Sequence, residues 1–206
     1  MALFITFEGG EGSGKTFQAK ALYRRLVKLD IPVLLTHEPG GTVTGEKVTR
    51  LLKWASDADL SPVTELLLFN ASRAQLVKEV IKPALENSKV VICDRYTDST
   101  IAYQSYGRGL DLGMVKGIND IATRGLIPAL IVLMDLPVEE GFNRKKSEKR
   151  DRFEKEAIEF HQKVREGYHK LADSDTRRWL VIDASQSKQK VKDIIWQKVK
   201  HLLEIN

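Results

Sequence analysis

Cysteine is nearly absent. The single Cys93 rules out an intrachain disulfide and any metal site built from several thiolates. Flanked by Val91, Ile92 and Asp94, it reads as a packed strand residue rather than a nucleophile. No apolar run reaches the length that spans a bilayer. The first residues carry neither a charged n-region nor a small-residue cleavage site, so no signal peptide is expected and the expected location is the cytoplasm. The guanine-reading tetrapeptide N-K-x-D is missing, which disfavours a GTPase switch. Interleaved aromatics are missing too from the one strongly basic stretch, Arg144 to Arg152, which holds six basic residues and two acids in nine positions. Without rings to stack on bases, no nucleic-acid partner is expected there. The rival reading, an ATP-dependent nucleic-acid-binding module, would predict salt-steep DNA binding without nucleotide turnover. No repeat, low-complexity tract or linker divides the 206 residues, and a single domain spanning 1–206 is expected.

What is present is a globular balance, 42% hydrophobic and 30% charged, with a net charge of +5 that suits an anionic partner. The decisive stretch lies near the start. Leu3-Phe4-Ile5-Thr6-Phe7 reads as a buried strand and Phe17 to Val27 as an amphipathic helix. Between them Gly9, Gly14, Lys15 and Thr16 complete the pattern G-x-x-x-x-G-K-T. Glycines let successive N–H groups turn inward and cradle phosphate oxygens, and the helix adds its positive end. The loop Gly9, Gly10, Glu11, Gly12, Ser13, Gly14, Lys15 and Thr16 is therefore a candidate ATP site. Lys15 is expected to reach the β- and γ-phosphates, and the Thr16 hydroxyl to hold Mg²⁺.

Further strands are predicted at Ile31–Thr36, Lys89–Cys93, Pro128–Asp135 and Trp179–Asp183. Their continuous apolar character indicates a parallel sheet covered on both faces. Ser61-Pro62-Val63-Thr64-Glu65 supplies an N-cap, a proline at the first helical position and a first-turn acid, opening a helix to about Ile81, near Pro83. Other helices are predicted from Gly45 to Trp54, from Leu112 to about Arg124, from Pro137 into the basic stretch, from Asp151 to about Leu171, and from Lys188 onward. Strands alternating with helices give a doubly wound α/β fold, five-stranded, with ligands beyond the strands' C-terminal ends.

Asp94 closes an apolar strand, where a carboxylate helps to hold Mg²⁺. Arg95 beside it either forms a strand-end ion pair or clamps a second phosphorylated substrate bidentately. Phe69 and Arg73 share a helix face, as core or as a base platform with a polar reader.

Phe7-Glu8-Gly9, Glu38-Pro39-Gly40-Gly41-Thr42, Phe69-x-x-x-Arg73, Asp94-Arg95-Tyr96, Ser99-x-x-Ala102-Tyr103-Gln104 and Asp151-Arg152-Phe153-Glu154 occur in one order across nearly the whole chain. Together they resemble the thymidylate kinase family, in its bacterial form. The resemblance implies a P-loop nucleoside monophosphate kinase fold with a short lid, about 141–153, and transfer of the ATP γ-phosphate to dTMP. It implies a dTMP site made by Glu11, Glu38, Pro39, Phe69, Arg73, Arg95, Ser99, Thr100, Tyr103 and Gln104. In that site Glu11 approaches the sugar 3′-hydroxyl, Phe69 stacks on thymine and Arg73 donates to O4. Thr100 and Gln104 complete the polar edge, Tyr103 crowds the 2′ position and Arg95 binds the acceptor phosphate. Thr16 and Asp94 would serve Mg²⁺. Catalytic roles fall to Lys15, Asp94, Arg95 and a lid cation, Arg150 first, with Arg144 and Lys149 behind it and Arg144 also at ATP. Gly12 stands where some relatives carry a charge-supplying arginine, so the lid is expected to supply the charge. The resemblance also implies a homodimer.

Overall fold

Five short apolar runs form the centre of the molecule: β1 (Leu3–Glu8), β2 (Val33–His37), β3 (Val90–Asp94), β4 (Leu130–Asp135) and β5 (Trp179–Asp183). All pair in parallel, in the order β2-β3-β1-β4-β5. β1, β3 and β4 are buried along nearly their whole length, as strands covered on both faces must be. The computed structural model describes residues 2–54, 60–145 and 151–205.

The connections are helical: α1 (Lys15–Lys28), α2 (Val43–Trp54), α3 (Pro62–Leu76), α4 (Lys82–Glu86), α5 (Thr97–Thr100), α6 (Leu112–Thr123), α7 (Val138–Arg144), α8 (Ile158–Ser174) and α9 (Lys188–Leu202). On one face of the sheet Leu22 and Leu26 of α1 and Val191, Ile195 and Trp196 of α9 cover β1 and β4. On the other, Leu66 of α3 and Phe160, Val164 and Tyr168 of α8 share a core with Ile131 and Leu133. The predicted cap at Ser61 forms, its Oγ accepting from the Thr64 N–H at 3.2 Å, and the Asp111 Oδ1 caps α6 in the same way, accepting from the Met114 N–H at 2.7 Å.

Two sequence expectations are corrected. The helix opened by Pro62 does not stop before Pro83. It runs through a π-helical turn at Val77–Ile81 and on to Glu86. The wider turn makes room for the proline ring, which would otherwise press on the carbonyl four residues back. Nor does Asp151 start the long helix, which begins at Ile158. The Asp151 Oδ1 accepts from the N–H groups of Phe153 and Glu154 (2.9 and 3.0 Å), and the Glu154 Oε2 accepts from the Asp151 N–H (3.1 Å), closing a separate turn. Glu65 is the first-turn acid that was expected, and it is buried.

Candidate active site

Everything chemically distinctive collects at the C-terminal ends of the strands. The loop between β1 and α1 curls through Gly9, Gly12 and Gly14, all at positive φ. Gly12 is required for a second reason. A Cβ there would lie 2.1 Å from the Gly141 carbonyl oxygen of α7, and a Cβ on Gly141 would lie 2.2 Å from that of Glu11. The Lys15 Nζ folds back over the loop, donating to the Gly10 carbonyl at 2.6 Å and the Ser13 Oγ at 3.3 Å. Burial, with Arg95 adding repulsion, lowers the Lys15 ammonium to about 8.

β3 delivers the next pair. The Thr16 hydroxyl donates to the Asp94 carboxylate across the strand ends. Arg95 follows at φ 72, a left-handed backbone rare for a long side chain, held by its N–H donating to the Phe7 carbonyl at 2.9 Å. That turn sends the guanidinium back over the loop, where NH2 meets the Glu11 Oε1 at 2.6 Å. Its NH1 donates to the Gly9 carbonyl, the Ser99 Oγ and the Tyr168 hydroxyl at 3.1–3.3 Å. Burial raises the Glu11 carboxyl, but Arg95, Lys15 and Lys145 outweigh it and hold it well below the usual carboxylate range.

Beneath this lies Glu8, the last residue of β1. Its Oε2 accepts from the Ser99 Oγ at 2.5 Å and the Tyr168 hydroxyl at 3.2 Å, and its Oε1 from the Tyr96 N–H at 2.8 Å. Burial, with repulsion from Asp98, pushes its carboxyl up to about 8.

A cavity of about 460 Å³ opens beside the loop. Glu11, Glu38, Pro39, Phe69, Arg73, Arg95, Ser99, Thr100, Tyr103 and Gln104, every residue expected on the acceptor side, line it. So do Lys53, Asp151 and Phe153, which sequence reasoning did not single out for the site. The Phe153 ring lies 5.6 Å from that of Phe69, and its place in the Asp151-Arg152-Phe153-Glu154 motif was the available signal. Arg73 is 1% exposed and all its donors are engaged. Nε and NH2 meet the Glu38 Oε2 at 2.8 and 2.6 Å, NH2 also donates to the Tyr96 carbonyl and Thr100 Oγ1, and NH1 to Asn119 Oδ1 at 2.7 Å and Asn70 Oδ1 at 3.5 Å. Two buried acceptors on the cavity residues, Glu38 Oε1 and Gln104 Oε1, have no protein donor.

A second, open groove of about 2730 Å³ runs along the other side of the loop. Glu11, Gly12, Ser13, Gly14, Lys15, Thr16 and Arg144 line it, with Ala184 and Gln186 beyond β5. Gly9 and Gly10 do not face the groove. Their carbonyls accept from Arg95 and Lys15. The Arg144 NH1 and NH2 donate to the Ala184 carbonyl, each at 3.1 Å. The two spaces thus adjoin, with Glu11, Glu38, Pro39, Lys53 and Arg95 lining both. Arg150 and Lys149 lie outside the described residues.

The thymidylate kinase family profile matches residues 7–195. A thymidylate kinase of Dehalococcoides mccartyi is 53% identical over 205 residues, covering 100% of this chain and 99% of its own. One from Geotalea uraniireducens is 48% identical over 202 residues, covering 95% of each. This chain belongs to the thymidylate kinase family. A crystal structure of a thymidylate kinase from Ehrlichia chaffeensis aligns with a TM-score of 0.77 at 34% identity, over 98% of each chain. Membership in the thymidylate kinase family brings with it the ATP-dependent phosphorylation of dTMP, a phosphoryl transfer.

Proposed function

We propose that the chain transfers the γ-phosphate of ATP to dTMP, giving dTDP and ADP, with ATP in the open groove and dTMP in the smaller cavity. One observation carries the residue assignment: the side chains expected on the acceptor side line one cavity against the phosphate loop. Phe69, backed by Phe153, offers a ring face to the base. Thr100 accepts from Arg73 and keeps its own O–H to give, and the buried Gln104 Oε1 is an acceptor. Of Arg73's contacts the one to Asn70 is loosest, and we assign that N–H to the base O4. Tyr103 is held by the Glu11 carboxylate at 3.0 Å, so both stand where the sugar lies.

The reaction needs little covalent help. An oxygen of the dTMP phosphate attacks the γ-phosphorus, the bond to the β-γ bridging oxygen breaks, and ADP leaves. Arg95 orients the acceptor phosphate and Lys15 neutralises charge on the transferring group. Positioning and charge supply the rate, with no strong general base. Thr16 Oγ1 and Asp94 Oδ2 are hard oxygen donors already in contact, a pair that fits Mg²⁺, which takes one or two protein ligands beside water and phosphate. Those two residues would hold it, and the ion when bound neutralises the β- and γ-phosphates.

The segment 141–153 is assigned as the lid of a single domain, supplying through Arg150 the cation that Gly12 does not. We further propose a cytoplasmic homodimer. Val63 and Leu67 of α3 and Met114 and Ile121 of α6 are exposed apolar residues on neighbouring helices. Among the described residues no helix is long and apolar enough to cross a membrane. ADP release measured with ATP, Mg²⁺ and one monophosphate acceptor at a time tests the activity. Turnover is expected with dTMP, and its absence beside robust turnover of another monophosphate would refute the assignment.

A further inference from the structure

Glu65 is 1% exposed and every partner it has is a donor. Its Oε1 accepts from the Gln104 Nε2 at 2.6 Å and the Arg108 Nε at 3.3 Å. Its Oε2 accepts from the Arg108 NH2 at 3.3 Å and the Arg152 NH2 at 2.7 Å. A carboxylate between two guanidinium groups has nothing to donate. Turning the Gln104 amide over would set oxygen against oxygen in a buried place, so only one orientation of that amide is satisfied. The Gln104 Oε1 is then left without a protein donor, on a fully buried residue that lines the acceptor cavity.

We infer that Glu65 is a specificity-positioning residue: by claiming the Gln104 Nε2 it presents the Gln104 Oε1 to the base and selects a ring N–H over a bare ring nitrogen. The inference rests on the assignment of this cavity to the acceptor nucleotide. A 4-oxo pyrimidine carries a proton on N3 and satisfies the oxygen. A 4-amino pyrimidine presents a lone pair there, and two buried acceptors face each other unpaired. Glu65 need not touch the nucleotide to do this, for it acts through the amide.

Glu65→Gln tests it. The new side chain can still accept from Arg108 and Arg152 through its oxygen, while its NH₂ donates to the Gln104 Oε1, so the Gln104 amide is free to turn its own NH₂ inward. The ratio of kcat/KM for dTMP to that for dCMP should fall about tenfold or more. Arg108→Gln loosens the same ion cluster but leaves Glu65 on Gln104, and the ratio should stay within about twofold. An equal loss for both substrates in Glu65→Gln, or an equal change of ratio in Arg108→Gln, would overturn the inference in favour of a structural role. In the Gln104→Met background, Glu65→Gln should have no further effect on the ratio, and a persisting effect would count against it.

A measurement on the unmodified protein guards against a variant that does not fold. The Gln104 side-chain amide protons, assigned by their loss in Gln104→Met, should exchange slowly both before and after dTMP is added. Protons that exchange freely until dTMP arrives would mean that the NH₂ faces the base, and the inference would fail. If instead Gln104→Met and Phe69→Ala both left the KM for dTMP unmoved, the cavity assignment itself would fall.

Discussion

Arg95 and Glu11 meet at 2.6 Å, joining the end of β3 to the phosphate loop through a partly buried ion pair. The carboxylate rests on the guanidinium that we assign to the acceptor phosphate, so one anion holds it until another arrives. Arg95→Ala should lower kcat by about 10²–10³, the usual cost of removing a charge-stabilising donor. ATP affinity should change only a few-fold, because Lys15 and the loop remain. Steady-state rates with an ATP titration check both, and full activity in the variant would remove Arg95 from its assigned role.

Lys15 gives a prediction about protons. Its ammonium titrates near 8 because it is buried beside Arg95, and the phosphates of ATP should push it back up. Binding at pH 8 should therefore take up roughly half a proton, and close to none from this group at pH 6.5. Calorimetry in buffers of differing ionisation enthalpy measures it, with Lys15→Arg as the variant that should abolish the uptake. No uptake at pH 8 would mean that Lys15 does not meet the phosphates.

Glu8 bears on stability. Its carboxyl moves from 4.5 to about 8 on folding, through burial and repulsion from Asp98. Across that window the native state keeps a proton that the unfolded chain has released. Stability from this group is thus fully present below about pH 4.5 and is lost as pH rises through about 8, by an amount of order a few kcal/mol. Asp98, itself raised to about 6, slopes the same way. Arg95, Ser99, Tyr96 and Tyr168 also face Glu8 and favour its charged form or bond it directly. Denaturant melts between pH 5 and 8.5 should show Glu8→Gln with a shallower decline than the parent. An unchanged slope would show that Glu8 does not titrate there.

The Arg73–Glu38 pair is buried on both sides, at 1% and 4% side-chain exposure. Glu38→Ala leaves a guanidinium in the interior with its charge uncompensated, which costs about 3–5 kcal/mol. The melting temperature should fall by about 10 °C. A shift under 2 °C by scanning calorimetry would mean that Asn119, Thr100 and the Tyr96 carbonyl suffice to hold Arg73.

The sheet was legible because its strands are continuous apolar runs, and Trp179–Asp183 begins and ends where the pattern does. The phosphate loop was legible because its chemistry fixes its spacing. Residues whose roles depend on distant partners were not. Glu65 satisfies every local rule for a first-turn acid, and only the approach of Arg108 and Arg152, from far along the chain, makes it the centre of a buried cluster. Asp151 was misplaced for a similar reason. Its spacing to Glu154 looks like a helix opening, but the Arg152 N–H and Nε donate to the Lys53 and Leu52 carbonyls and hold the turn against α2. The left-handed backbone at Arg95 has no sequence signature at all, and it is what aims the guanidinium.

Positions 12 and 141 touch backbone to backbone, with no side chain on either to act as a cushion. They are therefore one packing unit rather than two sites. A descendant that acquires arginine at position 12 must first reseat the helix that holds Gly141, and a chain that keeps that helix where it is stays bound to glycine.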